Sequence, residues 1–362
     1  MFEPFCFEPS RGHGFGAIVP RSMRLCGCLH EPLRGLGLFL TALLVVLTAG
    51  GAAMAAPDHT KVEGPDECAE CHKYEAEVWK NTHHYKTFSA LPRKKEAREI
   101  SKAMGLKRIK AGSLCLNCHF TSVDKGGKKK TIAGISCESC HSAGKDWTKL
   151  HSEFSGKKKE TESPEEAKKR WADSEAAGMI RPHMTYTLAK NCYSCHVVPQ
   201  EELVNKGGHE AGSPFELVSW SQGEVRHNLW YTEGKSNKEA EPGRKRMLYA
   251  VGVAVELETA LRAVGKATKP AKYAVAMAKR AHAAKKRVRQ VARAIRTPEM
   301  MEIVRTAHDA RLKLNNEAGL SAAADKIADA AKRMSRNYDG SEFAAIDELI
   351  PAEDKYKGKP SR

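Results

Sequence analysis

The pattern of apolar and polar positions divides the chain into stretches of different kind. An apolar run, GLGLFLTALLVVLTAGG from Gly35 to Gly51, follows Arg24 and Arg34 and precedes AAMAA. It is shorter than the roughly 20 residues of a comfortable membrane span. Its basic flank and A-x-A end give it the form of a secretory signal over residues 1–56, cleaved near Ala55 or Ala56, with Met23 as an alternative start. An uncleaved N-terminal anchor is the other reading of the same run. Farther on, ESPEEAKKRWADSEAAG predicts a helix, with Ser163 as N-cap, Pro164 in the first position, Glu166 completing a capping box and Gly178 stopping it.

From Pro242 the character changes: there are no further cysteines, and apolar residues recur with helical spacing. One helix is expected from about Arg244 to Val264. A second begins near Pro270 and sets Tyr273, Met277, Ala281, Ala284, Val288, Val291 and Ile295 on one stripe, with Lys279, Arg280, Lys285, Lys286, Arg287 and Arg289 mostly elsewhere. Thr297-Pro298-Glu299 caps a third helix, and Ser321 opens a shorter fourth. The expected organisation is a signal over 1–56, a cysteine-bearing domain over 57–241, a helical bundle over 242–350 and a tail over 351–362.

The cysteines carry the chemistry. Eight of the 11 fall in Cys-x-x-Cys-His: Cys68, Cys71 and His72; Cys115, Cys118 and His119; Cys137, Cys140 and His141; Cys192, Cys195 and His196. With 15 histidines in 362 residues, chance supplies roughly 0.01 such matches, so four are not accidental. The pattern is the attachment signature of c-type haem, in which two thiols form thioethers to the vinyl groups and the adjacent imidazole ligates iron. Paired Cys-x-x-Cys units also build zinc sites, but zinc does not require a histidine after every second cysteine. Cys6, Cys26 and Cys28 lie within residues 1–56, so an exported mature chain would have no thiol left for disulfides or catalysis.

Four haems change the reading of composition. A mean hydropathy of −0.52 with 7% aromatic residues is poor material for a conventional core, and a macrocycle is a large apolar body around which chain can pack. The expected fold is mainly α, with little regular sheet, haems forming the core, and a C-terminal helical bundle. Proximal histidines are 47, 22 and 55 residues apart, so there is no strict repeat, and the short step draws the second and third haems together.

Lys plus Arg is 60 against 44 for Asp plus Glu, a net charge of +16, or +15 without residues 1–56. Ionised haem propionates would lower this to about +7, which suits an acidic redox partner; membrane-surface association and oligomerisation through the C-terminal helices are further options. Nucleic acid is excluded as a partner, because the chain is read as exported and its charge runs lack interleaved aromatics. KGGKKK at Lys125 to Lys130 and GKKKE from Gly156 read as solvated loops.

A sixth iron ligand separates a closed electron carrier from an open, reactive haem. Beyond the four motif histidines, residues 57–362 offer His59, His83, His84, His151, His183, His209, His227, His282 and His308. The last two fall in the bundle and read as structural or exposed.

Over roughly Pro57 to Asn237 the chain resembles the tetrahaem cytochrome c-554 family. The resemblance is carried by ECAECHKYEAEVWKNTHH, CLNCHF, GISCESCHSAGKDWTKLH and SQGEVRHNLW. It implies that His84 reaches the third haem, that His151 turns back to the first, and that His227, with His209 competing, caps the fourth. It also implies a five-coordinate second haem on His119; no histidine near CLNCHF contradicts this, and His183 is the residue most able to overturn it. The function implied is periplasmic electron transfer between redox partners. The alternatives are a haem enzyme reducing nitric oxide, hydroxylamine or nitrite at an open haem, and a structural redox subunit of a larger complex.

Overall fold

The computed structural model describes residues 57–111 and 113–362; the signal expected over residues 1–56 lies outside them. Short helices carry the first half of the chain: α1 (Pro65–Cys71), α2 (Lys73–Asn81), α3 (His83–Ala90), α4 (Lys95–Ala103) and α5 (Ser113–His119). Strands β1 (Thr121–Asp124) and β2 (Lys129–Ala133) form an antiparallel hairpin with Asp124 opposite Lys129 and Thr121 opposite Ala133. Lys129 and Lys130 therefore lie in a strand and not in the loop that charge alone suggested. The turn is built on Gly126 and Gly127, at φ of +62° and +75°, a backbone region that glycine enters without steric cost.

After the hairpin come α6 (Cys137–His141), α7 (Thr148–Ser152), α8 (Pro164–Ala176), α9 (Thr185–His196), α10 (Glu201–Asn205) and α11 (Leu217–Ser221). The capping box expected at α8 is present: Ser163 Oγ accepts from the Glu166 N–H, and the Glu166 carboxylate accepts from the Ser163 N–H.

Four long helices follow: α12 (Pro242–Lys266), α13 (Lys272–Ile295), α14 (Pro298–Asp309) and α15 (Glu317–Asn337). The first three match the spacing of apolar residues and the Thr297 cap, whose hydroxyl accepts from the Met300 N–H. The last is longer than expected and starts before Ser321, because Gly319 sits inside its first turn against the Asn316 side chain instead of ending a loop. The chain is mainly helical, 63% helix and 4% strand, and the hairpin is the only sheet among the described residues.

The apolar core is unevenly distributed. Helix α12 is buried on almost every side from Met247 to Gly265, as an apolar-all-round helix must be, and α9, α11, α13 and α15 pack around it. Leu257 and Leu261 are fully buried there, each worth about 1.5–3 kcal/mol of transfer free energy. Between residues 57 and 184, by contrast, the only buried apolar side chains among the described residues are Pro65, Ala76, Val78, Ile109, Leu116, Phe120, Val123, Ala133, Trp147 and Ile180. This region holds three of the four Cys-x-x-Cys-His motifs and has too little side-chain core to close around itself.

The apolar cluster of the bundle also takes in Tyr193, Val197, Leu203 and Phe215, so the packing continues across residue 242. Polar anchors reinforce it: buried Glu258 of α12 accepts from Lys190 and from the Tyr186 hydroxyl of α9. The bundle thus fixes the helix that ends in the fourth motif. The C-terminal residues run back over the cysteine-bearing region, where the Lys357 carbonyl accepts from the Glu224 N–H at 3.0 Å and Lys357 N–H donates to Ser219. No helix among the described residues is long and apolar enough to cross a membrane.

Candidate haem sites

Each Cys-x-x-Cys-His motif lies on a helical turn: at the end of α1, on α5 and α6, and at the end of α9. A turn sets residues i and i+3 on one face, so both thiols of each pair project together and the histidine follows at once. All eight thiols are free of disulfides. Among the described residues no group of three or more His, Cys, Asp or Glu side chains converges as a zinc site would require.

The histidines instead meet in twos. Ring centroids of His72 and His151 are 6.3 Å apart, those of His84 and His196 6.3 Å, His119 and His209 6.2 Å, and His141 and His227 6.2 Å. Every pair joins one motif histidine to one from elsewhere. A metal bound at about 2 Å by a nitrogen of each ring needs about 6 Å between centroids, so all four pairs are spaced to hold a metal such as haem iron between two imidazoles. The interplanar angles are 11°, 50°, 49° and 89° in the same order.

These pairs correct three expectations drawn from the resemblance. His151 does face His72, but His84 faces His196 of the fourth motif and not His141 of the third. His227 faces His141 instead of His196. His119, expected to be open, faces His209, which arrives from far downstream on the loop after α10. His183 is exposed and lies 3.6 Å from Glu175. His83 is exposed as well, its Nδ1 2.7 Å from Glu224, which leaves His84 as the inward member of that dipeptide. His282 and His308 are exposed, as read, and His59 lies near Asp58.

Second partners orient the rings. Nδ1 of His141 lies 2.8 Å from the Ile180 carbonyl, that of His209 2.6 Å from the Glu210 carbonyl, and that of His227 2.6 Å from the Val225 carbonyl. His196 Nδ1 lies 2.9 Å from the Ser213 hydroxyl. A carbonyl can only accept, so Nδ1 carries the proton and Nε2 is left with the lone pair a metal needs. Burial holds His119, His141 and His196 down to about 4 and lowers His72, His84 and His151, keeping the imidazoles neutral, the form in which they ligate.

The motifs are locked to one another. The Cys68 thiol adjoins Cys137, and Cys118 adjoins Cys195. The first motif thus neighbours the third, and the second the fourth. Buried Glu138, inside the third motif, accepts from the N–H groups of Glu63, Gly64 and Gly144 at 2.9, 2.8 and 2.6 Å, tying it to the start of α1. Asn191 Nδ2 donates to the Ser139 carbonyl at 2.7 Å and so joins the fourth motif to the third. Thr121 Oγ1 lies 2.9 Å from Ser136 Oγ and 3.1 Å from Ser139 Oγ, bringing the ends of the second and third motifs together across the hairpin.

Two positions that sequence reading missed help to place the rings of the His84–His196 pair. A Cβ on Gly134 would stand 2.1 Å from the His84 carbonyl, which accepts from the Ile135 N–H at 3.1 Å. Only glycine lets α3 press this closely on the approach to the third motif. Trp79 Nε1, donating to the Ile135 carbonyl at 2.7 Å, holds α2 to the same segment. Ser213 is the other, bonded to His196 through its hydroxyl and, through its carbonyl, to Arg280 of α13. A glycine next to a haem motif was a visible signal for the first; no local pattern marks the second.

Cys-x-x-Cys-His turns combined with paired imidazoles on a mainly helical scaffold define a c-type cytochrome, a protein with covalently bound haem c. Residues 67–142 match the family described as cytochrome c554 and c-prime. The chain is also similar to cytochrome c-554 of Nitrosomonas europaea, 28% identical over 187 residues that cover 49% of this chain and 74% of that protein. Both matches agree with the reading of this chain as a c-type cytochrome. No solved structure matches.

Proposed function

We propose that this chain is a periplasmic electron carrier holding four haems, each clamped between two histidines. The observation that carries the reading is the set of four facing imidazole pairs, each containing one Cys-x-x-Cys-His ring. When bound, haem supplies a reversible one-electron couple. The chain's part is to hold it: Cys68 and Cys71, Cys115 and Cys118, Cys137 and Cys140, and Cys192 and Cys195 as thioether anchors; His72, His119, His141 and His196 on one side; His151, His209, His227 and His84 on the other.

Two histidines leave no room for a reacting ligand, so the geometry favours electron carriage over reduction of a small molecule at the second haem. The adjoining thiols support a relay that runs from the first motif to the third, then to the fourth and the second. An acidic redox partner suits the surface: Lys279, Lys286, Arg289, Arg293 and Arg296 are exposed along α13 without an ion pair among the described residues. The same face is the proposed contact for an anionic membrane surface or for self-association.

Haem counting and ligand variants test the reading. The purified protein is expected to carry four haems by pyridine haemochrome assay, retained on denaturation. His84→Gly, His151→Gly, His209→Gly and His227→Gly should each convert one of the four from low to high spin. Fewer than four haems, or spectra unchanged in the variants, would refute it.

A further inference from the structure

Among the described residues, seven of the eight paired imidazoles have no carboxylate within 4 Å of a ring nitrogen; the exception is His72, whose Nδ1 lies 3.8 Å from Glu75 Oε2. Glu75 lies in the first turn of α2 and is largely buried, and its Oε1 has no hydrogen-bond partner among the described residues. A histidine that turns Nε2 to a metal must carry its proton on Nδ1. Here that N–H has no carbonyl to meet, only a carboxylate with an unused oxygen. At His141, His209 and His227 the corresponding partner is a neutral carbonyl, and at His196 a hydroxyl.

We propose that Glu75 makes the His72–His151 site the low-potential end of the set, with the neighbouring surface as the point of electron uptake. This rests on the proposed electron-carrier reading. A negative charge beside an axial imidazole makes the ligand more basic and favours the ferric over the ferrous charge state. Of the other charges near the site, Lys159 lies over the Trp230 ring at 5.5 Å from its centroid and is exposed to solvent, where water screens it. Arg170 donates to the His151 carbonyl at 2.6 Å, but its Nε and Nη2 are engaged by both Glu162 oxygens at 2.6 and 2.7 Å, a neutral pair. Nor does another site have the same feature: Glu224, near His84, is occupied by the backbone N–H and ring of His83.

Position fits the role. Trp230 packs on His72 at 4.6 Å between centroids and is 40% exposed, and the next residue, Tyr231, is 90% exposed. With haem bound, an electron given up here by a one-electron-reduced redox protein, which is thereby oxidised, would pass toward the adjoining third motif, the first site being reoxidised as the next is reduced. Uptake at the lowest potential makes that passage downhill.

The test is potentiometry of the four-haem protein. In Glu75→Gln the lowest of the four midpoint potentials should rise, so that the reduced-to-oxidised ratio of that haem at a fixed potential increases several-fold, while the other three stay in place. Glu75→Asp should keep most of the negative charge and shift less. Glu77→Gln, a charge loss at an exposed position on the same helix, should leave all four unchanged. In an independent arm with Glu75 intact, His151→Gly should alter the lowest-potential wave. An unmoved lowest wave in Glu75→Gln, equal shifts in the Gln and Asp variants, or loss of a higher wave in His151→Gly would overturn the assignment. Haem content is measured on the same samples: four haems with unmoved potentials sinks this inference alone, whereas missing haems sinks the electron-carrier reading beneath it.

Discussion

Gly134 shows how a single missing methylene can set the place of a histidine. A side chain there would meet the His84 carbonyl at 2.1 Å, against backbone that cannot swing aside as a flexible side chain could. Gly134→Ala is therefore expected to push α3 off the 134–135 segment and move His84 away from His196. The measurement is the spin state of the four haems: one should become high-spin while the haem count is retained. An unchanged low-spin spectrum would mean that α3 is held elsewhere. At this scale the proximal half of each site was legible, because Cys-x-x-Cys-His is contiguous and its spacing carries its chemistry. The distal half was not. His209 and His227 are set by chain reversals after α10 and α11, and nothing local to them names the ring they face. The resemblance supplied a pairing; in the fold His84 and His227 face other motif rings than that pairing names, and His209 faces His119.

Among the elements, those with strong periodicity or caps were read correctly. The stripe from Tyr273 to Val291 is buried in α13, and Thr297 caps α14. Thr297→Ala should cost about 1 kcal/mol of stability, typical of a lost N-cap. Guanidinium denaturation followed by far-ultraviolet circular dichroism checks this, and the haem spectrum should not change, since α14 packs on α13 and α15 and contains no paired histidine. A cost indistinguishable from zero would show the cap to be redundant. The β1–β2 hairpin was missed because four lysines dominate Lys125–Lys130 in composition, although Gly126-Gly127 between two short β-forming runs is a turn signal of its own. Polar links between elements, such as Glu258 to Lys190 and Tyr186, were invisible for the reason that hid the distal ligands: they join residues far apart in the chain.

For the molecule as a whole, one half closes on side chains and the other has few to close on. The bundle around α12 is an ordinary apolar core. Residues 57–184 bury only scattered apolar side chains, and their paired imidazoles stand apart by the width of a ligated metal. The two halves meet at α9, which is packed on α12 and ends in the fourth motif, so the bundle anchors the helix that carries that motif. The claim that decides between a carrier and a reactive haem concerns His119 and His209. Carbon monoxide titration of the fully reduced protein, paired with electron paramagnetic resonance of the oxidised form, measures it directly. All four haems should be low-spin and none should bind carbon monoxide. One equivalent of carbon monoxide bound per chain, with one high-spin ferric signal, would contradict the pairing of His119 with His209 and restore an open second haem.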